Sequence, residues 1–262
     1  MPLKLRNMAT YKKRGYKPKN RAEKEVALED GSTTAEVFGS LDEGASKTEA
    51  WVENNQKSIF TLVAVIAVGV LGYIAYQKFV FEPKQTEAAN EVYQASSYFE
   101  QALTAEVQKD SLFSMALNGN AGRYGLLDIA DKFDGTPAGD LARYQAGIAY
   151  FNLSQYDKAI QFLDGFSSGD AMMTPVAKGV IGDSFAQLEQ YEEALNYYQQ
   201  AADLSTNDLT TPRYLLKAGT TALGLGQNAL ALKSFTRILD EFEDASEATQ
   251  AKAYKAQAEA AQ

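Results

Sequence analysis

The chain has 262 residues, contains neither cysteine nor histidine, and carries a formal net charge of −9 at pH 7. These absences exclude disulfide bonds, cysteine nucleophiles, histidine general bases and zinc sites built on either residue. The charge is uneven: residues 1–24 hold nine Lys and Arg against one acid, whereas residues 58–262 hold 14 basic and 25 acidic side chains. We therefore expect no nucleic-acid ligand for the acidic part of the chain.

The basic N-terminal segment, residues 1–45, is predicted to be a mostly disordered cytoplasmic tail. Its stretch YKKRGYKPKN interleaves basic side chains with two tyrosines, which also suits contact with anionic lipid or ribosomal RNA. We favour the simpler interpretation, a solvated tail that only sets membrane topology. Ser46 and Glu49 have the spacing of a capping box, so a juxtamembrane helix is predicted over residues 46–57.

A long apolar segment follows, and residues 58–81 are predicted to form a single transmembrane helix. Within it, residues 59–76 are 18 positions without a charge. A helix of that length extends about 27 Å, close to the thickness of a bilayer core. The segment lies too far into the chain, and is too long, for a cleaved signal peptide. Because short basic tails stay cytoplasmic, we expect the chain after about residue 82 to lie on the far side of the membrane.

Small residues recur inside the predicted transmembrane helix, where they would let a second helix approach closely. They are Ala64, Ala67, Gly69, Gly72 and Ala75. No strict GxxxG spacing is present, and small residues are common in such helices. Contact with a partner helix and contact with membrane lipid alone both stay open.

The rest of the chain contains an internal repeat that aligns on Gly147, Gly182 and Gly219, which are 35 and 37 residues apart. A leucine follows each glycine six residues later, an alanine twelve residues later and a bulky residue sixteen residues later. The bulky residues are Leu163, Tyr198 and Phe235. A period of this length is typical of helix pairs that stack into a solenoid.

This pattern resembles the tetratricopeptide repeat. The resemblance implies an all-α fold, with a single transmembrane helix followed by a tetratricopeptide-repeat α-solenoid. Three repeats are expected over residues 140–245, and a degenerate first helical pair over residues 85–139. Residues 246–262 are expected to form a C-terminal capping helix.

Repeats of this kind bind protein segments on the face formed by the first helix of each pair. The resemblance therefore implies a partner-binding groove lined by Tyr144, Ile148, Phe151, Asn152, Asp183, Gln187, Leu216 and Thr220. Some of these side chains could instead contact only the neighbouring repeat. The basic residues with which some family members clamp a carboxylate are missing from the matching positions, so the groove is expected to take apolar or extended segments.

No catalytic, metal or cofactor site is predicted, and we expect that the protein is not an enzyme. Ser184 lies in a Gly-Asp-Ser sequence, but the chain has no histidine to activate it. The closely spaced glycines of GTTALGLGQ lack both the preceding strand and the Lys-Ser/Thr of a phosphate-binding loop.

The order of a basic tail, one apolar segment and an acidic repeat domain resembles the YfgM-like ancillary subunits of the bacterial protein-export translocon. The stretches YKKRGYKPKN and GTPAGDLARYQAGIAYFNLSQYDKAI are similar to the form found in Bacteroidota. The resemblance implies an inner-membrane protein with a periplasmic repeat domain. It also implies partnership with the SecYEG translocon, with a PpiD-like periplasmic prolyl isomerase-type chaperone, and with emerging exported chains.

Other classes stay open from the residues alone. A cell-envelope assembly scaffold unrelated to protein export would share this fold and topology. A regulator with inverted topology would place the repeats in the cytoplasm. An enzyme is disfavoured because no active site is predicted.

Overall fold

A computed structural model describes residues 33–166, 168 and 170–261, with side-chain environments from residue 48 onward. The basic cluster of residues 1–24 and most of the predicted tail therefore lie outside the described residues. The chain divides into two units, residues 1–74 and 75–262.

The first unit contains one long helix, α1 (Thr33–Tyr76). One segment of it is long and apolar enough to cross a membrane, and none of that segment is buried by the rest of the chain. The helix differs from the predicted boundaries at residues 45 and 57, neither of which is a helix end. The predicted start at Ser46 lies inside the helix, and no proline interrupts the chain between Thr33 and Tyr76, so one element forms.

A short π-helical segment (Gln77–Phe81) follows, and the remaining elements are all helices among the described residues. They are α2 (Glu82–Thr104), α3 (Lys109–Asn118), α4 (Leu126–Lys132), α5 (Pro137–Asn152), α6 (Tyr156–Asp164), α7 (Met173–Gln187), α8 (Tyr191–Asp203), α9 (Thr210–Gly224), α10 (Asn228–Glu241) and α11 (Ala248–Ala260). Consecutive helices from α5 onward pack against each other, so α5–α6, α7–α8 and α9–α10 form three successive pairs.

The segment predicted as a degenerate helical pair contains three helices instead, α2, α3 and α4. Helix α3 ends after ten residues because Gly119 adopts a positive φ of 78°. The loop then returns so closely that a methyl group at Gly125 would overlap the Leu117 carbonyl. This tight glycine turn separates α3 from α4, so a helix that the predicted pair did not include lies between the two expected ones. The three helices and α5 share a core that includes Phe113, Leu126 and Ile129.

The three pairs use the same turn between their helices. Ser154, Glu189 and Gly226 each have a positive φ, of 57°, 61° and 72°. The amide of the next residue then donates to a carbonyl five residues earlier, at 2.8 to 2.9 Å in all three turns. This is the pattern of a Schellman motif, which ends one helix and redirects the chain into the next.

The glycine of each repeat faces the bulky residue that follows sixteen positions later. A methyl group at Gly147 would overlap Leu163, one at Gly182 would lie 2.6 Å from the Tyr198 ring, and one at Gly219 would overlap the Phe235 ring. Leu163 and Phe235 are fully buried and Tyr198 nearly so. The glycine therefore sets how closely the two helices of a pair approach.

The segment predicted as a cap forms helix α11, which packs on α10 and α9. It buries Ala251 and Ala258, and the Tyr254 ring stacks on Phe235 with the ring centroids 5.8 Å apart. The all-α architecture is thereby confirmed among the described residues.

We expect Gly219→Ala to lower the free energy of unfolding by about 1–3 kcal/mol, because the added methyl group must displace the buried Phe235 ring. Gly224→Ala in the same helix is the control, since a methyl group there meets nothing within 4 Å. It should be neutral or stabilising by up to about 1 kcal/mol. Chemical denaturation of the full-length protein measures both, and equal effects would contradict the role given to Gly219.

Candidate binding groove

We call the eight side chains that were predicted to line the partner-binding groove the groove face. They lie on α5, α7 and α9. None of them is buried in the structure. Tyr144, Ile148, Phe151, Asn152, Asp183, Leu216 and Thr220 are partly exposed, and Gln187 is exposed. All eight can therefore be reached from solvent, and their contact with a partner stays a prediction.

Several groove-face side chains also contact neighbours within the protein. The Tyr144 ring packs against Phe166 at 5.1 Å, and the Phe151 ring packs against Tyr156 at 5.7 Å. The Asn152 side-chain amide donates to the Ile148 carbonyl at 2.9 Å. The first-repeat part of the groove face is thus largely aromatic and aliphatic, and its shape is fixed by these contacts.

Asp183 forms the shortest polar contact of the groove face. Its carboxylate accepts hydrogen bonds from Lys217 Nζ at 2.6 and 2.7 Å, and from the Tyr198 hydroxyl at 2.7 Å. These three side chains lie on α9, α8 and α7, so one cluster joins the second repeat to the third. Because both carboxylate oxygens accept from Lys217, the pair presents little net charge to a partner.

A similar link joins α2 to the first repeat. Ser96 Oγ donates to Gln145 Oε1 at 2.7 Å. Gln145 lies two residues before Gly147, as Lys217 lies two residues before Gly219. Sequence reasoning missed this position, although its fixed offset from the glycine was a signal that could have identified it. The same position therefore connects neighbouring first helices at two places in the solenoid.

Tyr214 is a second residue that the sequence analysis missed. Its ring lies against α7 where residue 179 is glycine, and a methyl group there would overlap the ring. Burial raises the pKa of the Tyr214 hydroxyl, and the nearby Asp183 carboxylate raises it further. The pKa of Tyr198 is raised by burial and by the same carboxylate. Both hydroxyls therefore stay protonated throughout the physiological pH range, and the Tyr198 hydroxyl acts as a neutral donor to Asp183.

The remaining predicted positions are placed as follows. Ala64, Ala67, Gly69, Gly72 and Ala75 are all exposed in α1, and added methyl groups at the two glycines would meet nothing within 4 Å. Ser184 is buried, and its hydroxyl donates to the Val180 carbonyl at 2.8 Å. This side chain is a packing residue of α7 and is not exposed to solvent.

Comparison with known proteins decides the identity of the helix pairs. Two family models match the chain, both described as tetratricopeptide repeat, at residues 141–167 and 177–208. The chain contains tetratricopeptide repeats. No curated protein and no solved structure matches it.

The first match covers most of α5 with all of α6, and the second covers most of α7 with all of α8. Together with the apolar helix before them, these repeats confirm the predicted fold class. Tetratricopeptide repeats bind protein partners in general, and neither match indicates a catalytic family. The pair α9–α10 repeats the same glycine contact and the same turn.

The Asp183–Lys217 ion pair should stabilise the contact between the second and third repeats. A double-mutant cycle with Asp183→Asn and Lys217→Met is expected to give a coupling free energy of about 1–2 kcal/mol. The matched control is the Arg237–Asp203 pair, also 2.6 Å long, whose carboxylate is 68% exposed against 25% for Asp183. Its coupling should be about 0.5 kcal/mol or less, because solvent screens it. A larger coupling for the control pair would contradict this interpretation.

Proposed function

We propose that this protein is a non-catalytic, membrane-anchored scaffold whose tetratricopeptide repeats hold a partner chain beside the protein-export translocon. The observation that carries the proposal is the direct succession of an apolar helix and a packed repeat domain. Helix α2 begins at Glu82, only a few residues after the apolar segment, and Ala88 is already buried in the domain core. An anchor so close to the domain raises the local concentration of membrane partners, so weak groove contacts suffice.

The proposed orientation places the N-terminus in the cytoplasm and the repeats in the bacterial periplasm. The nine Lys and Arg of residues 1–24 support this orientation, since short basic segments are retained on the cytoplasmic side. The proposed membrane is the inner membrane, and the proposed partners are the SecYEG translocon and a PpiD-like chaperone. The resemblance of the tail and of the first repeat to the YfgM-like subunits supports these partners.

The composition of the groove face supports a protein segment as its occupant. Its first-repeat part presents Tyr144, Ile148 and Phe151, and its one acidic residue is already paired with Lys217. Apolar side chains with local polar contacts suit an extended or partly folded chain. The groove would hold either an emerging exported chain or the partner chaperone.

The orientation can be tested by thiol labelling, because the chain has no cysteine of its own. Ser154 is exposed in the turn between α5 and α6. We expect Ser154→Cys to react with a membrane-impermeant maleimide in cells whose outer membrane alone is permeabilised. Thr10→Cys, in the basic tail, should react only after the inner membrane is broken. The opposite pattern would favour the regulator with inverted topology.

Partner identity can be tested by affinity purification of the tagged full-length protein in mild detergent. We expect the channel subunits and the PpiD-like chaperone to co-purify. In the control, an unrelated apolar helix replaces residues 59–81, and a loss of the channel in that variant would assign channel contact to the native helix. Recovery of cell-wall or outer-membrane machinery without channel subunits would refute the export role and favour the envelope scaffold.

A further inference from the structure

A cleft of about 390 Å³ opens between the second and third repeats. Its walls come from α7, from the start of α8 and from α9. They consist of Ala186, Tyr191, Thr220, Thr221, Gly224 and Leu225. The Tyr191 side chain is 46% exposed, although it occupies a position that faces a neighbouring repeat. A volume of this size is within the range of pockets that bind small ligands or single side chains.

The interface between the first and second repeats shows what normally fills this space. Counted from the repeat glycine, Ala186 matches Phe151, Tyr191 matches Tyr156, and Gly224 matches Gln187. In the earlier interface the Phe151 ring packs against the Tyr156 ring at 5.7 Å. The Tyr156 hydroxyl donates to Gln187 Oε1 at 3.4 Å.

The interface after the third repeat has an equivalent link. Asn228 holds the position of Tyr191, and its side-chain amide donates to the Ala261 carbonyl at 2.7 Å. In the middle interface the two residues that would contact Tyr191 are alanine and glycine. Among the described residues, Tyr191 therefore has no ring partner and no hydrogen-bond partner. The cleft is the space that a phenylalanine ring and a glutamine side chain fill one repeat earlier.

The chain beside Tyr191 is acidic. Glu189, Glu192 and Glu193 are all exposed, and none of them forms an ion pair with a described residue. These three carboxylates lie within two residues of Tyr191 along the chain and have no basic partners, so they give the region around Tyr191 a negative potential that attracts cationic groups.

We propose that this cleft binds an aromatic side chain of a partner segment that carries Lys or Arg next to it. The ring takes the place that Phe151 has against Tyr156, and packs on Tyr191. A carbonyl oxygen of the segment accepts from the Tyr191 hydroxyl, as Gln187 does from Tyr156. The neighbouring basic side chains face Glu189, Glu192 and Glu193. This inference rests on the proposed function only in that the repeats bind a protein segment, whichever partner supplies it.

A short fluorescent peptide tests the proposal directly. The probe is a blocked pentapeptide with phenylalanine between two pairs of lysines, and its binding to the full-length protein in lipid nanodiscs is followed by fluorescence anisotropy. We expect at least about a tenfold loss of affinity when alanine replaces the phenylalanine, as is usual for a buried aromatic anchor. A peptide with glutamates in place of the lysines should not bind. Equal binding of the three peptides, or no binding of the first, would overturn the proposal.

Two substitutions together fill the cleft as the first interface is filled. Ala186→Phe with Gly224→Gln introduces beside Tyr191 the two residue types that contact Tyr156 one repeat earlier. A methyl group at Gly224 meets nothing within 4 Å. We expect this double variant to have an equal or higher Tm and to lose affinity for the probe by at least about tenfold. Ala253→Phe, at an exposed position of α11, is the matched control and should bind normally. A folded double variant that binds the probe as tightly as the wild type would refute the assignment.

Charge reversal keeps the test decisive if the filled variant does not fold. Glu192→Lys with Glu193→Lys changes only exposed side chains and should weaken probe binding several-fold, with the difference shrinking at high salt. Unchanged binding at low salt would contradict the proposed recognition of basic residues. Recovery of the translocon with the double variant is a separate measurement, so failure of the export role and failure of the cleft can be distinguished.

Discussion

The contact between a glycine and a bulky side chain sixteen residues later is the constraint on which the repeat domain depends. Gly147, Gly182 and Gly219 remove a side chain where the second helix of each pair approaches, and Leu163, Tyr198 and Phe235 fill the space that is left. Once this distance is fixed, the turn between the helices can be the same in all three pairs. The first helices then succeed one another along the groove face, because each pair presents the same surface to the next.

The repeats depart from one another at the interfaces between them. Asp183 and Lys217 form an ion pair between two first helices, whereas the matching residues of the first two repeats are Ile148 and Val180. Gly179 makes room for the Tyr214 ring at one interface. The cleft beside Tyr191 is unfilled for the same kind of reason, because small residues stand where the preceding interface has large ones. A solenoid whose units contact only their neighbours tolerates such local changes without losing the fold.

The start of α2 is part of the repeat domain and does not behave as a linker. Lys84 Nζ donates to the Asp134 carbonyl at 2.9 Å, and Lys132 pairs with Glu87 at 2.8 Å. Ala88 and Ala95 are fully buried a few residues later. These contacts join the first turns of α2 to the connection between α4 and α5, so the chain is packed into the domain almost from Glu82.

The sequence by itself determined the apolar helix and the period of the repeat. Each depends on composition or spacing along the chain, which α-helical geometry converts directly into length or into a face. Only the tertiary structure decided that residues 85–139 form three helices, because Gly119 takes a positive φ there and the chain returns so closely that Gly125 lies against the Leu117 carbonyl. It also decided which side chains meet across repeats, as Asp183 meets Lys217 and Tyr156 meets Gln187. Periodicity gives the face on which a residue lies, but the partner it meets there depends on how neighbouring helices cross and on the size of every side chain between them.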